Sequence, residues 1–301
     1  MKRTVTVSVF IPAYNEERNI KNIIQQVLDQ KQKYWRLKEI IVICDGSSDK
    51  TYAEAISIKN RKLRVVQGKS NLGKVARVNQ VVKLFKGDLL VQLDADITLK
   101  DDSVITNLVK EFRVNPEVKL VGGNSKVFPP KNFFQRSINT SYEVYYRSRA
   151  RINNGHNVFG CTGAILAMKK DFARRIKLPK ELIVEDTFIY FLNKKYGFKF
   201  RHAKDAVVYF KMAGNLKDFL RQVFRSHPES LKFMFDKYFG NAVREEYRRP
   251  KSFYLKNVMD VLVEQPVNTL TMIAIKLACI PFFPIFSAKY KGKWFTATST
   301  K

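Results

Sequence analysis

The sequence predicts an α/β fold in which a doubly wound, mostly parallel β-sheet is flanked by helices and followed by a helical C-terminal appendage. Up to about residue 115, apolar runs of strand length alternate with stretches of helical periodicity. Polar loops separate the two kinds of segment, and strands joined through helices of this length pair in parallel. Residues 229–301 lose this alternation, and their pattern indicates basic helices.

Four strands are predicted in the first half, each rich in Val, Ile or Leu: residues 5–11, 39–44, 63–66 and 88–93. Apolar residues spaced for one helical face run from Ile20 to Leu28. Asn15 is the predicted N-cap of that helix, with Glu16 and Glu17 in its first turn. Further helices are predicted after the loop at residues 45–49, from about Gly73, and over residues 102–113.

The second half is predicted to continue with a looser alternation of strands and helices. The predicted strands are residues 119–127 and 206–210, and the predicted helices are residues 133–151, 185–196 and 215–227. Residues 228–262 indicate more helices with many basic side chains. We therefore divide the chain into a sheet-containing domain, residues 1–228, and a basic helical region, residues 229–301.

Charge is the outlying feature of the composition. Lys and Arg total 55 against 27 Asp and Glu, which gives a formal net charge of +28. Such an excess attracts polyanions: nucleic acid, anionic lipid head groups or phosphorylated substrates. The three cysteines, Cys44, Cys161 and Cys279, are far apart and form no C-x-x-C pair. This spacing argues against a disulfide framework or a structural zinc site, and we expect ordinary core residues.

The C-terminal region contains an apolar segment that favours association with a membrane. Residues 267–288 carry one charge, Lys276, and are interrupted by Pro281 and Pro284. Basic residues are dense over 232–256 and recur at 289, 291 and 293, and cations beside an apolar stretch suit an anionic cytoplasmic leaflet. We therefore expect a location on the cytoplasmic face of a membrane, by a broken or re-entrant helix or an interfacial one, with a buried core helix as the alternative.

Carboxylates follow the ends of two predicted strands. Asp94 and Asp96 follow the fourth strand, where both could approach one Mg²⁺ or Mn²⁺ ion, unless they cap a solvated turn. Asp45 follows the second strand and could contact a base or ribose, whereas Ser48 or Asp49 suits the cap of the following helix. Since ligands bind beyond the carboxyl ends of such strands, we expect Asn15, Asp45 and Asp94 to converge there.

Three other segments carry residues suited to phosphate and acceptor chemistry. The helix start Asn71-Leu72-Gly73-Lys74 suits a pyrophosphate, with a solvated basic helix end as the alternative. Asp186, in the pair Glu185-Asp186, could act as general base towards a hydroxyl, or could simply favour a helix N-terminus. Arg225 could clamp a diphosphate, or could be one more surface arginine.

In order and spacing these motifs resemble those of the inverting glycosyltransferase family 2, which has the GT-A fold, over roughly residues 5–228. The resembling segments, in chain order, are Pro12-Ala13-Tyr14-Asn15-Glu16-Glu17, Asp45-Gly46-Ser47-Ser48-Asp49, Asn71-Leu72-Gly73-Lys74, Asp94-Ala95-Asp96, Gly160 to Ala164, Glu185-Asp186 and Gln222-Val223-Phe224-Arg225. This family includes cellulose, chitin and hyaluronan synthases and dolichol-phosphate mannose synthases.

The resemblance implies a donor site built from the first four motifs. Pro12 and Asp45 would contact the nucleobase, with Glu16 close by. Asp94 would help to hold the donor, and Asp96 would bind a divalent metal, Mg²⁺ or Mn²⁺, on its diphosphate.

On the acceptor side, the resemblance implies that Asp186 is the general base and that Gln222 and Arg225 lie over the diphosphate or the acceptor channel. Ser226 stands where the family pattern has a tryptophan that helps processive members to bind acceptor. This difference argues against processive polymer synthesis.

The predicted function is therefore an inverting, metal-dependent hexosyl or N-acetylhexosaminyl transfer in polysaccharide or lipid-linked sugar synthesis. The expected donor is a nucleotide sugar, UDP-linked rather than GDP-linked, and the expected acceptor is a hydroxyl of a lipid-linked sugar or saccharide. A nucleotidyltransferase is one alternative, although the loop after the first strand is acidic rather than Gly-rich and basic. A basic nucleic-acid-binding protein is another, although no nucleic-acid-reading motif is present and acidic clusters follow the strands.

Overall fold

The computed structural model describes residues 4–182, 184–225 and 236–280. Its strands are β1 Val5–Ala13, β2 Trp35–Cys44, β3 Leu63–Gln67, β4 Leu89–Leu93, β5 Ile97–Leu99, β6 Val118–Val127, β7 Ile165–Lys169 and β8 Lys199–Phe210. Its helices are α1 Ile20–Leu28, α2 Thr51–Ser57, α3 Lys74–Leu84, α4 Val104–Val114, α5 Phe133–Arg151, α6 Lys170–Ala173, α7 Glu185–Lys195, α8 Leu216–Arg225, α9 Asn241–Tyr247, α10 Lys251–Glu264 and α11 Pro266–Cys279.

The strands form one eight-stranded sheet in the order β3-β2-β1-β4-β7-β6-β8-β5. Strands β3, β2, β1 and β4 are parallel, as the sequence predicts. The other half is mixed, because β7 runs antiparallel to both β4 and β6, and β5 runs antiparallel to β8. The sheet is therefore mixed rather than mostly parallel, and the difference arises from two short strands, β5 and β7, that the sequence pattern did not indicate.

Both faces of the sheet are covered by helices. Along β1, Val9 and Ile11 pack in one apolar cluster with α1 and α4. Phe10, between them, packs in a second cluster that includes Val78 of α3 and Phe188 of α7. Successive side chains of a strand point to opposite faces, so an uninterrupted apolar strand supplies both cores, as expected for a sheet that is covered on both sides.

The chain reverses its direction of travel across the sheet at β1. It runs from β1 outward through β2 to β3, then returns to place β4 on the other side of β1. A crevice forms at such a switch point beyond the carboxyl ends of the strands. The loops that follow β1, β2 and β4 are the ones that carry the predicted donor site.

The C-terminal helices α10 and α11 pack against α5. Within the described residues, the prediction of helices over 228–262 is met by α9 and α10, and residues 267–279 of the apolar segment form α11. Residues 281–288 and the basic residues at 289, 291 and 293 lie outside the described residues. None of the described helices has the length and apolarity that crossing a bilayer requires.

The three cysteines are buried and unpaired, as predicted. Cys44 ends β2 inside one core cluster and Cys161 lies in the other. Burial raises the pKa of the Cys161 thiol well above its usual value, so this side chain stays protonated.

Candidate active site at the carboxyl ends of the strands

The loop after β1 is tied to the loop after β2. Asn15 adopts a left-handed conformation with φ of 53°. Its side-chain oxygen accepts a hydrogen bond from the Ser48 amide at 2.9 Å, and its own amide donates to Ser47 Oγ at 3.1 Å. Asn15 is therefore not the N-cap of α1, which begins at Ile20 with Asn19 in the cap position. The prediction is wrong because the asparagine side chain is used between loops rather than along its own helix.

Asp45 organises the next loop from a fully buried position. Its oxygens accept hydrogen bonds from the backbone amides of Leu72 at 3.0 Å and Gly73 at 2.8 Å, and from Arg77 Nε at 2.5 Å. Gly46 follows with φ of 67°, and a Cβ there would lie 2.4 Å from the backbone of Ser70. The loop after β2 and the start of α3 are thus packed into one unit, and a contact of Asp45 with the donor stays a prediction.

Pro12 and Glu16, the other two residues predicted to lie near the base, are buried beside this unit. Pro12 pairs in register with Ile43 of β2. Glu16 accepts a hydrogen bond from the Asn19 side chain at 2.7 Å, and its amide donates to Thr51 Oγ1 at 2.7 Å. Pro12 lies at the end of β1 and Glu16 in the loop that follows, and their role towards a donor stays a prediction.

Lys74, the first residue of α3, is the cation at the centre of the site. Its Nζ lies 2.6 Å from Asp94 Oδ1 and 2.6 Å from Glu185 Oε1. It also donates to the backbone oxygen of Gly163 at 3.2 Å. Burial alone would lower the pKa of Lys74, but the two carboxylates outweigh it and raise the pKa above its usual value. One lysine thus links three segments that are far apart in sequence.

Asp94 and Asp96 follow β4 at the mouth of this cluster, and both are partly exposed. Burial raises the pKa of Asp94 to about 6, and the charges of Asp96 and Glu185 add to the rise while Lys74 opposes it. Among the described residues no three His, Cys, Asp or Glu side chains form a metal cluster. Two carboxylates could bind a divalent cation whose other ligands are phosphate and water, as is common for Mg²⁺, and a metal at this pair stays a prediction.

Asp186 lies at the start of α7, next to Glu185. One of its oxygens accepts from the Gly163 amide at 2.6 Å, and the other accepts from the Thr187 amide at 2.6 Å. Burial raises the pKa of Asp186 to about 6, with a further rise from Glu185. A carboxylate with this pKa is ionised at neutral pH and is basic enough to take a proton.

Gly163 lies against Lys74 and the two acidic residues of α7. A Cβ at this position would lie 2.9 Å from Lys74 Nζ, 3.0 Å from Glu185 Oε1 and 3.3 Å from Asp186 Oδ2. A side chain here would require the ends of these charged side chains to shift slightly. The absence of a side chain at Gly163 therefore allows the charged groups to approach closely.

Two residues of the site have no role in the sequence-based prediction. Glu185 is buried and holds Lys74. Gln92, on β4, is fully buried and donates its amide to Glu185 Oε1 at 3.2 Å. Gln92 is a polar residue within a buried apolar strand, and such a residue needs a hydrogen-bonding partner. This was the available indication that the strand faces a polar centre.

Helix α9, from the C-terminal region, packs against α7, the helix that begins with Glu185 and Asp186. Glu246 accepts hydrogen bonds from Tyr190 Oη at 2.8 Å and Lys194 Nζ at 2.7 Å, both on α7. The ring of Tyr247 lies 5.7 Å from the ring of Phe159, and Tyr247 is hydrogen-bonded to Thr187, the neighbour of Asp186. These contacts cross the predicted boundary at residue 228, and the division into two domains stays a prediction.

The late motif is only partly described. Gln222 lies on α8 and is half-buried. Arg225 ends the same helix, and its side chain and Ser226 lie outside the described residues. The predicted roles of Gln222 and Arg225 stay predictions.

The structure therefore confirms that the strand-end motifs converge. Asn15 is bound to the Ser48 loop, Asp45 to the start of α3, and Lys74 to both Asp94 and Glu185. Buried cations and carboxylates at a crevice, with perturbed pKa values, are characteristic of a catalytic centre.

Comparison with known proteins agrees with this geometry. The model of glycosyl transferase family 2 matches residues 8–177, which is more than half of the chain. A poly-beta-1,6-N-acetyl-D-glucosamine synthase of Staphylococcus epidermidis is 32% identical over 123 residues, covering 40% of this chain and 29% of the relative. The synthase of that name in Staphylococcus aureus (strain COL) is 33% identical over 122 residues, covering 40% and 29%. The chain thus spans less than a third of the length of these relatives.

A solved structure, the mannosyltransferase PcManGT of Pyrobaculum calidifontis in complex with GDP-Man and Mn²⁺, has a similar fold. It is 17% identical with a TM-score of 0.60, over 93% of this chain and 76% of that one. At this identity the likeness supports the α/β architecture of a mixed sheet between helices. The family predicted from the motif order is confirmed: the chain belongs to glycosyl transferase family 2 and is a glycosyltransferase.

Proposed function

We propose that this protein transfers a sugar from a UDP-linked donor to a hydroxyl acceptor with inversion at the anomeric carbon. The observation that supports it most is the arrangement around Lys74, which places the donor-side carboxylate Asp94 and the acidic pair Glu185-Asp186 against one cation. Donor-side and acceptor-side groups then flank a single reaction centre, as a direct displacement requires.

Asp186 is the general base in this proposal. Its carboxylate is held in place by the Gly163 and Thr187 amides, and it accepts the proton of the acceptor hydroxyl as that oxygen attacks the anomeric carbon. The bond from that carbon to the nucleoside diphosphate breaks as the new bond forms on the opposite face. One displacement at one carbon inverts its configuration.

Asp94 and Asp96 would hold a divalent cation, Mg²⁺ or Mn²⁺, together with the donor diphosphate. When bound, the metal supplies positive charge that stabilises the leaving diphosphate. Lys74 holds Asp94 in place through an ion pair. Asp45 fixes the loop that leads into α3. The predicted contacts of Pro12, Asp45 and Glu16 with the base, and of Gln222 and Arg225 with the diphosphate or acceptor, belong to the same proposal.

The donor to test first is UDP-N-acetylglucosamine. The two staphylococcal relatives are named as poly-beta-1,6-N-acetyl-D-glucosamine synthases and match 40% of this chain. GDP-mannose is the second donor, because the neighbour of similar fold carries GDP-Man. A saccharide or lipid-linked sugar is the proposed acceptor, at the cytoplasmic face of a membrane. A nucleotidyltransferase or a nucleic-acid-binding role is not favoured for a member of this family.

The experiment is a panel of nucleotide sugars with Mn²⁺ or Mg²⁺, scored by release of nucleoside diphosphate. We expect UDP from a UDP-sugar, no pyrophosphate, and a product of inverted configuration by NMR. Asp186→Asn should abolish transfer, and Asp96→Ala should abolish it or raise the metal concentration required. Asp205→Asn, an exposed carboxylate on β8, is the matched control and should transfer normally.

Four outcomes would contradict parts of the proposal. Near-normal turnover by Asp186→Asn would remove that residue as base. Full activity after chelation of divalent ions would show that transfer needs no metal. Release of GDP alone would show that the donor is GDP-linked and not UDP-linked. Retention of configuration would require a different mechanism.

A further inference from the structure

Helix α10 packs against the protein with an inward side that carries polar groups beside the buried Val261. Asn257 is fully buried, and its side-chain amide donates to Ser148 Oγ of α5 at 3.1 Å. Asp260 pairs with Arg151 of α5, one turn further along. Polar and charged groups therefore contribute to the packing of α10 against α5. A surface helix usually packs on its protein through its apolar side instead.

The opposite side of α10 is apolar and faces outward. Leu255, Met259 and Val263 recur every four residues and share one side of the helix. Helix α11 continues this surface with Val267, Leu270 and Leu277. We call these six residues the outer face, and each is between 43% and 76% exposed.

Helix α11 is apolar on both sides. Its inner side packs Met272 into a small core with Ile138 of α5 and Phe219 of α8, while Leu270 and Leu277 point away from that core. A helix that is apolar all round is expected to be covered on every side. Contiguous exposed apolar surface of this kind marks an interaction site.

The charges around the outer face are predominantly basic. Arg248, Lys251, Lys256 and Lys276 are exposed on α10, α11 and the turn before them. The nearby acidic groups are engaged elsewhere, since Glu264 pairs with Arg147 of α5 and Asp260 pairs with Arg151. The surface thus combines apolar side chains with cations, which is the composition that binds anionic lipid.

We propose that the outer face docks onto an anionic bilayer surface, with α10 and α11 lying in the plane of the interface. Apolar side chains enter the lipid boundary, and the lysines and arginines reach the head groups. A second copy of the chain is the less favoured occupant, because each copy carries a net charge of +28 and would repel the other. The proposal is independent of which sugar the enzyme transfers.

The test is co-sedimentation of the full chain with phosphatidylcholine vesicles, with and without phosphatidylglycerol at about one third of the lipid. We expect binding to the anionic vesicles, and about tenfold weaker partitioning for the double substitution Met259→Glu/Val263→Glu, since both apolar contacts and charge balance are lost. Ile56→Glu/Val114→Glu is the matched control. It changes the charge equally at exposed apolar residues of α2 and α4, and it should bind markedly better than the outer-face variant.

Several results would overturn the proposal. One is failure of the wild type to bind anionic vesicles. Another is an equal loss of binding by both double variants, because charge alone would then explain the weaker binding. A third is the observation by light scattering that the wild type is a dimer and that Met259→Glu/Val263→Glu is a monomer. The outer face would then join two copies of the chain. Leu255→Ser/Val263→Ser repeats the test if the glutamates unfold α10, and circular dichroism checks the fold of each variant.

Discussion

Replacing Lys74 by methionine tests whether one buried cation holds the active-site carboxylates together. Methionine keeps the apolar stem of lysine and removes the charge that lies 2.6 Å from both Asp94 and Glu185. Breaking a buried ion pair by removing one partner costs about 3–5 kcal/mol. Because Asp94 is partly exposed and water can solvate it, we expect a loss near the lower end, about 3 kcal/mol, at pH ~8.

The loss should depend on pH in a defined direction. Burial already raises the pKa of Asp94 to about 6 in the folded protein, against about 3.9 for an unfolded chain. A folded carboxyl group with the higher pKa binds its proton more tightly, so its contribution to stability falls as pH rises through the folded pKa. Lys74 opposes this rise in pKa, and the variant should therefore lose most stability above pH ~7 and less than half as much at pH ~5.

The measurement is urea unfolding followed by circular dichroism at both pH values, for wild type and Lys74→Met. Lys110→Met, an exposed lysine on α4, is the matched control and should change the free energy of unfolding by less than about 0.5 kcal/mol. An equal loss at both pH values would refute the electrostatic account. So would a loss below about 1 kcal/mol at pH ~8, since a buried pair would then not exist in solution.

Three further predictions concern the base, the donor-side loops and helix α9. Asp186 must be ionised to act as a base, and its pKa is raised to about 6. We therefore expect kcat/KM to fall about tenfold per pH unit below pH ~6. A kcat/KM that stays constant from pH ~5 to ~7 would contradict this prediction. Asp45→Asn leaves the buried Arg77 cation without its carboxylate, and urea unfolding should show a loss of about 3 kcal/mol or more. Glu246→Gln weakens the charge-assisted link from α9 to α7, and should cost about 1–2 kcal/mol and raise KM for acceptor more than for donor.

The parallel half of the sheet could be predicted closely, because its strands are buried on both faces. Such strands are uninterrupted apolar runs, and residues 39–44 and 88–93 mark β2 and β4 to within a few residues. The mixed half of the sheet was harder to predict from the sequence. Strand β5 has three residues, too few to show a period. Strand β7 has five, as β3 and β4 have, but it lies beyond the regular alternation of strands and helices, which ends at about residue 115.

Side-chain roles were less accessible than strand positions. The sequence predicts that Asn15, Asp45 and Asp94 converge, but it also assigns Asn15 to a helix cap, whereas in the structure Asn15 binds the loop after β2. Local spacing detects caps because they are local, whereas this contact joins residues 33 positions apart. Glu185 was visible only as half of an acidic pair, since its partner Lys74 precedes it by more than a hundred residues.

The same limit explains why the outer face could not be located from sequence. The apolar segment beginning at residue 267 was visible, but its pattern is equally compatible with a spanning, interfacial or buried helix. Helix α10, by contrast, looks like an ordinary amphipathic helix whose apolar side should be buried. The position of Asn257 and Asp260 against α5 reverses that expectation. Which side of an amphipathic helix faces inward depends on its neighbour, and here α5 presents Ser148 and Arg151 to Asn257 and Asp260, next to the buried Val261.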